Sequence, residues 1–223
     1  MDYSIVVNFA ATYAAGNSIR ICDASGNDIQ VAHYQQPYKI IITLADAYEL
    51  PSNPFSGTGL TLDAAAATNP EVSENVYTYH CVMGDAALNA NPTGVDATVT
   101  LAAKAPEITN VQVKGKNFDF VDPSSNTFDI YYLQPLVAKA TANTFTQLSY
   151  TDAVNTQPSA SSGTAVTLAA RSDKMPDDRE GTDTYTLTVT ATNCPPGIAA
   201  ANAKTDQKTY TIRVSFNAAQ KVH

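Results

Sequence analysis

Histidine, cysteine and acidic side chains are the groups that could bind a metal, and the histidines are sparse in this sequence. They are His33, His80 and His223, and none lies at a usable spacing from another soft ligand. His80 and Cys81 are adjacent, so on a β-strand their side chains point to opposite faces of the sheet. The sequence therefore predicts an exposed His80 and no transition-metal site.

Calcium is the ion that the stretch DASGND, which begins at Asp23, could bind. Asp23, Ser25 and Asn27 have the first, third and fifth positions of an EF-hand loop. However, the glycine is at the fourth position instead of the sixth, and the twelfth position is Tyr34 instead of a bidentate acid. We expect a hairpin turn without an ion.

A second acidic group lies between residues 171 and 183. Its carboxylates alternate with basic residues, which would neutralise them, so we expect a solvated charged loop and no metal. The acidic members are Asp173, Asp177, Asp178, Glu180 and Asp183, and the basic ones are Arg171, Lys174 and Arg179.

Nucleophilic catalysis has no support in the sequence. Neither a G-x-S-x-G elbow nor a Ser-x-x-Lys pair occurs. The stretch SGTG from Ser56 recurs as SGTA from Ser162, which indicates a turn entering a strand and no phosphate loop. The chain also lacks tryptophan, a common platform for sugar rings. We predict no catalytic residue, no cofactor and no enzymatic activity.

Threonines alternate with apolar residues near the C-terminal end. This pattern predicts that Leu187, Val189, Ile212 and Val214 are core residues and that the threonines at 186, 188 and 190 face away from them. A threonine face could bind ice or stack against another sheet. The interpretation we favour is a hydrophilic outer face of β-branched residues.

The overall composition limits the partners and the compartment. A formal charge of −8 argues against nucleic acid, which is bound by clustered Lys and Arg. The most apolar run, 40–42, is too short to span a membrane, and the first 20 residues lack the basic region of a secretory signal. Three cysteines, an odd number, make a disulfide framework unsuitable. These features predict a cytoplasmic protein without a membrane partner.

Apolar and polar residues alternate with a period of two throughout the chain, as in YKIIITL from Tyr38 and TYTLTVTAT from Thr184. Clusters of Asp, Asn, Ser, Gly and Pro separate these stretches, and no long helical period occurs. The pattern predicts an all-β protein with about seven strands per hundred residues, as in Greek-key sandwiches.

Two halves of the chain share landmarks in the same order. Ser56 and Tyr79 are 23 residues apart, and so are Ser162 and Tyr185. Other landmarks recur with offsets between 109 and 111, which favours internal duplication, although one continuous sandwich with similar strands is the alternative. We predict two domains, 1–104 and 105–223, with equivalent turns at the two serines and equivalent strands at the two tyrosines.

The stretch Tyr79-His80-Cys81 resembles the sixth strand of an immunoglobulin domain, which has a tyrosine two residues before its second cysteine. Cys22 lies 59 residues earlier, at a suitable distance for the first cysteine. Cys22 has the opposite parity to Ile19 and Ile21, and the chain has no tryptophan, so the resemblance is one of architecture. A disulfide between Cys22 and Cys81 is an alternative to the two separate buried thiols that we expect.

The sequence therefore predicts two tandem immunoglobulin-like Greek-key β-sandwiches related by internal duplication. We expect a non-catalytic structural protein that self-assembles as a homo-oligomer, in a particle, filament, inclusion or virion. The alternative is a lectin-like or adhesin-like module that binds a glycan or small ligand through its loops, with some of its 12 tyrosines as stacking surfaces.

Overall fold

The computed structural model describes residues 2–84, 94–159 and 161–222. The chain divides into two compact units. The first comprises Met1–Lys104 and Pro195–Asn202, and the second comprises Ala105–Cys194 and Ala203–His223. Within the described ranges the regular structure consists of strands and two short 3₁₀ helices, Ala200–Asn202 and Ala218–Val222. The division at residue 104 as a boundary between duplicated domains stays a prediction.

The first unit contains ten described strands in two four-stranded sheets and one small ribbon. Their order is β3-β1-β9-β6 in one sheet, β2-β4-β8-β7 in the other and β10-β5 in the ribbon. All pairs are antiparallel except β1 with β9. The strands are β1 (Asp2–Phe9), β2 (Ser18–Asp23), β3 (Val31–His33), β4 (Pro37–Thr43), β5 (Tyr48–Glu49), β6 (Phe55–Thr58), β7 (Glu71–Ser73), β8 (Val76–Val82), β9 (Val95–Val99) and β10 (Ala102–Ala103).

The second unit contains nine strands in two sheets. Their order is β12-β11-β14-β17 in one and β13-β19-β18-β15-β16 in the other, with β13 parallel to β19 and all other pairs antiparallel. The strands are β11 (Glu107–Lys114), β12 (Phe120–Val121), β13 (Thr127–Tyr131), β14 (Leu136–Asn143), β15 (Gln147–Thr151), β16 (Thr156–Ser159), β17 (Val166–Leu168), β18 (Thr182–Asn193) and β19 (Lys204–Ser215).

Each unit has one apolar core formed by alternate residues of both its sheets. In the first unit Ile40 and Ile42 of one sheet pack with Val7 and Val99 of the other. In the second unit the predicted core residues Leu187, Val189, Ile212 and Val214 are all buried. Thr186, Thr188 and Thr190 lie on the opposite face, so the predicted register of β18 is confirmed.

The strand order identifies both units as immunoglobulin-like sandwiches, as predicted. An immunoglobulin constant domain pairs its strands in the order ABED in one sheet and CFG in the other. In the second unit β11, β14 and β17 correspond to A, B and E, and β15, β18 and β19 to C, F and G. In the first unit β2, β4, β8 and β7 correspond to A, B, E and D, and β6 and β9 to C and F.

The two units differ at the position beside strand F. In the second unit β19 follows β18 in the chain and lies antiparallel to it. In the first unit the corresponding position beside β9 is occupied by β1, the first strand of the chain, which runs parallel to β9. The sheet β3-β1-β9-β6 is therefore completed by β1, which precedes its three other strands in the sequence.

The predicted equivalence of the repeated landmarks is wrong. Tyr79 lies on β8 and Tyr185 on β18, which have the E and F positions of their sheets. Ser56 lies within strand β6, whereas Ser162 lies in a turn before β17. Because threonine-rich alternation is typical of any half-exposed strand, strands that are not equivalent acquired similar sequences.

Candidate functional site

His33 and His80 each lie beside a single carboxylate. His33 Nδ1 lies 2.6 Å from Asp2 Oδ1 on exposed strands, and His80 Nε2 lies 3.1 Å from Glu71 Oε1. His80 is half-buried, where the sequence predicted an exposed residue, and His223 lies outside the described residues. Over the ranges that the structure describes, no cluster of three or more His, Cys, Asp or Glu side chains could hold a metal ion.

The loop from Asp23 to Asp28 is a hairpin turn whose carboxylates accept hydrogen bonds from nearby residues. The backbone N–H of Asn27 donates to Asp23 Oδ1 at 2.9 Å, and its side-chain amide donates to Oδ2 at 3.1 Å. These bonds lower the pKa of Asp23. Arg20 donates to Asp28 Oδ1 at 2.5 Å and to the carbonyl of Gly26 at 2.7 Å. The turn is therefore stabilised without an ion.

Basic residues within the acidic loop between residues 171 and 183 bind two of its five carboxylates. Arg171 donates two hydrogen bonds to Asp173, at 2.7 and 2.6 Å, and they lower the pKa of that carboxyl to about 2. Lys174 Nζ lies 3.8 Å from Asp183 Oδ2, and Asp178 accepts the backbone N–H of Glu180. Asp173, Asp178 and Asp183 therefore have separate partners and do not converge on one point.

A buried polar cluster that the sequence did not predict lies below this loop. The side chain of Asp152 is 0% exposed and that of Arg171 is 5% exposed, and their closest atoms are 3.6 Å apart. The guanidinium lies 5.1 Å from the ring centroid of Tyr185. A surface hollow of about 460 Å³ is partly lined by these residues, but Arg171 Nη1 and Tyr185 Oη are themselves buried. The cluster therefore stabilises the second unit, and these two buried atoms do not face the hollow's solvent.

Cys22 and Cys81 are separate buried thiols without a disulfide between them. Burial raises the pKa of Cys81 to about 12, so this thiol is protonated at neutral pH. Burial likewise raises the pKa of the neighbouring Tyr38. Cys194 is partly exposed. A buried, protonated thiol is a poor nucleophile, so Cys81 is a packing residue.

The threonine face is the outer surface of the five-stranded sheet. Thr186 pairs with Thr211, Thr188 with Thr209, and Thr190 with Gln207. On the other side of β18, Ser149 pairs with Thr190 and Thr151 with Thr188. This surface is uncharged along its centre and offers hydroxyl groups to water.

Two hairpin tips combine charge with an exposed apolar side chain. We define the basic hairpin as residues 114–120, between β11 and β12, together with Lys139 of β14. We define the acidic hairpin as residues 71–76, between β7 and β8, together with Asp46. Phe118 at the first tip is 61% exposed, and Val72 near the second is 58% exposed. Single exposed apolar residues are normal on protein surfaces, so the charges distinguish these two hairpins.

Comparison with known proteins provides no family. No protein family matches the chain, and no curated protein matches it. A solved structure, a chimeric titin Z1Z2-Z1Z2 tandem functionalised with a GRGDS exogenous peptide from fibronectin, is 9% identical to this chain. The alignment covers 97% of this chain and 96% of that one at a TM-score of 0.23. A score of that size carries no argument, so the fold assignment depends on the strand order.

No helix among the described residues is long and apolar enough to cross a membrane. The predicted cytoplasmic location stays a prediction.

Proposed function

We propose that this protein is a non-catalytic structural protein whose copies associate with one another, as a component of a particle, filament, inclusion or virion. Tandem immunoglobulin-like sandwiches occur in proteins of many functions, so the fold alone does not decide this. The support comes from the distribution of charge and apolar residues on the surface.

The observation that carries the proposal is an unequal division of charge. Residues 1–104 contain ten acidic and three basic residues, whereas residues 105–223 contain eleven acidic and ten basic residues. Two copies of such a chain attract each other when the acidic part of one faces basic groups of the other. Each part also exposes a large apolar residue at a hairpin, Val72 in the first and Phe118 in the second.

Size-exclusion chromatography with light scattering tests the proposal. We expect masses that are multiples of 23.6 kDa and that increase with protein concentration. A monomer at every concentration would contradict self-assembly and would favour the ligand-binding alternative, in which the loops bind a glycan or a small molecule. Ionic strength should be held constant, because surface electrostatics depend on it.

A further inference from the structure

The basic hairpin presents three lysines beside aromatic rings. Lys139 Nζ lies 4.3 Å and Lys114 Nζ 5.6 Å from the ring centroid of Phe120, and Lys116 Nζ lies 5.4 Å from that of Tyr131. These contacts hold the ammonium groups in place without neutralising them. The hairpin is therefore an ordered, positively charged surface in a protein of net negative charge.

Asp119 lies within this hairpin, and two further carboxylates near it have other partners. Asp129 binds Arg213, and Asp122 accepts a hydrogen bond from the side chain of Gln112. None of the three lysines has an ion-pair partner within 4.0 Å among the residues that the structure describes. With Asp119 counted against the three lysines (3 − 1), the basic hairpin keeps a net charge of +2 towards a binding partner.

The acidic hairpin has the complementary character. Glu71, Val72 and Glu74 are exposed in sequence order around its turn, and Asp46 is attached to it by a hydrogen bond of 2.6 Å from Asn75. Glu71 lies 3.1 Å from His80, whereas no described cation lies within 4.0 Å of Glu74 or Asp46. The acidic hairpin therefore carries three carboxylates and an exposed valine, and the basic hairpin carries three lysines, Asp119 and an exposed Phe118.

The tip of each charged hairpin contains a non-glycine residue with a positive φ. Phe118 has a φ of 61° and Glu74 a φ of 53°. This left-handed region favours glycine or asparagine, and a bulky side chain there is strained. Five other non-glycine residues of the described chain share this region, so the strain sets the shape of the two turns without distinguishing them.

We propose that the basic hairpin of one copy binds the acidic hairpin of a second copy. This contact rests on the proposed self-assembly and specifies its surface. Each copy carries one hairpin of each charge, so a bound pair still has one unused hairpin of each kind. Such a contact between unlike surfaces produces open chains or closed rings. A second copy is the partner that the observations favour, because the complementary surface is present in the same sequence.

Charge reversal tests the contact. The double variant Lys116→Glu/Lys139→Glu reverses the charge of the basic hairpin, and Glu71→Lys/Glu74→Lys reverses the charge of the acidic hairpin. We expect each double variant to associate at least tenfold more weakly than the wild type in sedimentation velocity. An equimolar mixture of the two, or a chain carrying all four substitutions, should recover association because opposite charges face each other again. The matched control is Lys204→Glu/Lys208→Glu, which changes the charge equally on the exposed strand β19 and should associate as the wild type does.

Phe118→Gly tests the apolar part of the same surface. Glycine suits a φ of 61°, so this variant should melt no lower than the wild type, yet it should associate more weakly. Circular dichroism should give the same spectrum for all variants and the wild type.

The outcomes separate this contact from the proposed function. If the wild type assembles and the reversals have no effect, or if the combined variant does not recover, the hairpin contact is wrong and self-assembly stands. If the wild type is monomeric at every concentration, both are wrong.

Discussion

Asp152 is the residue whose loss should damage the second unit most through electrostatics. Its buried carboxylate accepts the backbone N–H groups of Val154 and Asn155, both at 2.8 Å, and faces Arg171. We predict that Asp152→Ala lowers the free energy of unfolding by about 3 kcal/mol, because it leaves a buried guanidinium with one fewer partner. Urea denaturation measures this change.

The matched control is Asp183→Ala, which removes a carboxylate that is 33% exposed and 3.8 Å from Lys174. Pairs of this kind contribute at most about 1 kcal/mol. Equal losses in the two variants would show that the buried pair has no special role.

The ion pair between Arg171 and Asp173 should make stability depend on pH. The hydrogen bonds from Arg171 lower the pKa of Asp173 to about 2 in the folded state, below its value in the unfolded chain. Stabilisation by this carboxylate is therefore complete above the unfolded pKa of about 3.9 and is lost as the pH falls through about 2.

We predict that Asp173→Asn is less stable than the wild type at pH 6 and that the difference decreases between about pH 4 and pH 2. Urea midpoints at pH 6, 4 and 2.5 measure it. A difference that is constant over this range would contradict the assignment.

At the scale of single elements, alternation made the faces of β18 and β19 predictable. Side chains of successive strand residues point to opposite faces, so an apolar residue such as Leu187 fixes the direction of its threonine neighbours. The same alternation could not distinguish strand E from strand F, because both positions favour β-branched residues on one face. The landmark pairing of Tyr79 with Tyr185 failed for this reason.

The buried cluster could not be predicted from local patterns. Asp152 and Arg171 are 19 residues apart and become neighbours only when the second unit folds. The acidic loops can be recognised from the sequence. Which carboxylate each arginine binds depends on the fold. The charge of the two halves can be counted from the sequence, but the fold decides which charged residues meet at the two hairpins.

The two faces of β18 should differ in their tolerance of substitution. Leu187 is fully buried, so Leu187→Ala should lower the free energy of unfolding by about 2–5 kcal/mol through lost burial and a residual cavity. Thr186 is exposed, and Thr186→Ala should change it by no more than about 0.5 kcal/mol. Urea denaturation of both variants checks this contrast, and similar losses would mean that the face assignment is wrong.

For the whole molecule we predict that calcium has no effect on stability. The carboxylates of Asp23 and Asp173 have internal partners, so an ion would have to displace them. An ion that binds the native state raises the melting temperature by mass action. Thermal unfolding with excess calcium and with a chelator should therefore give the same midpoint.

A rise of several degrees with calcium, abolished by Asp23→Ala or Asp177→Ala, would overturn this prediction. It would also favour the ligand-binding alternative over self-assembly.

The parallel pairing of β1 with β9 determines when the sheet β3-β1-β9-β6 of the first unit becomes complete during translation. Ile5 pairs with Val95, so the ribosome adds about 90 residues after β1 before its partner is synthesised. By contrast, only residues 194–203 separate β18 from β19, so these two strands are synthesised soon after one another. Throughout that interval β1 can pair with β3 and pack against Ile40 and Ile42, but its other edge has no partner. Unpaired strand edges of this kind promote aggregation. Crowded ribosomes on one message would bring such strands together, so slow translation before residue 95 favours misassembly of the first unit.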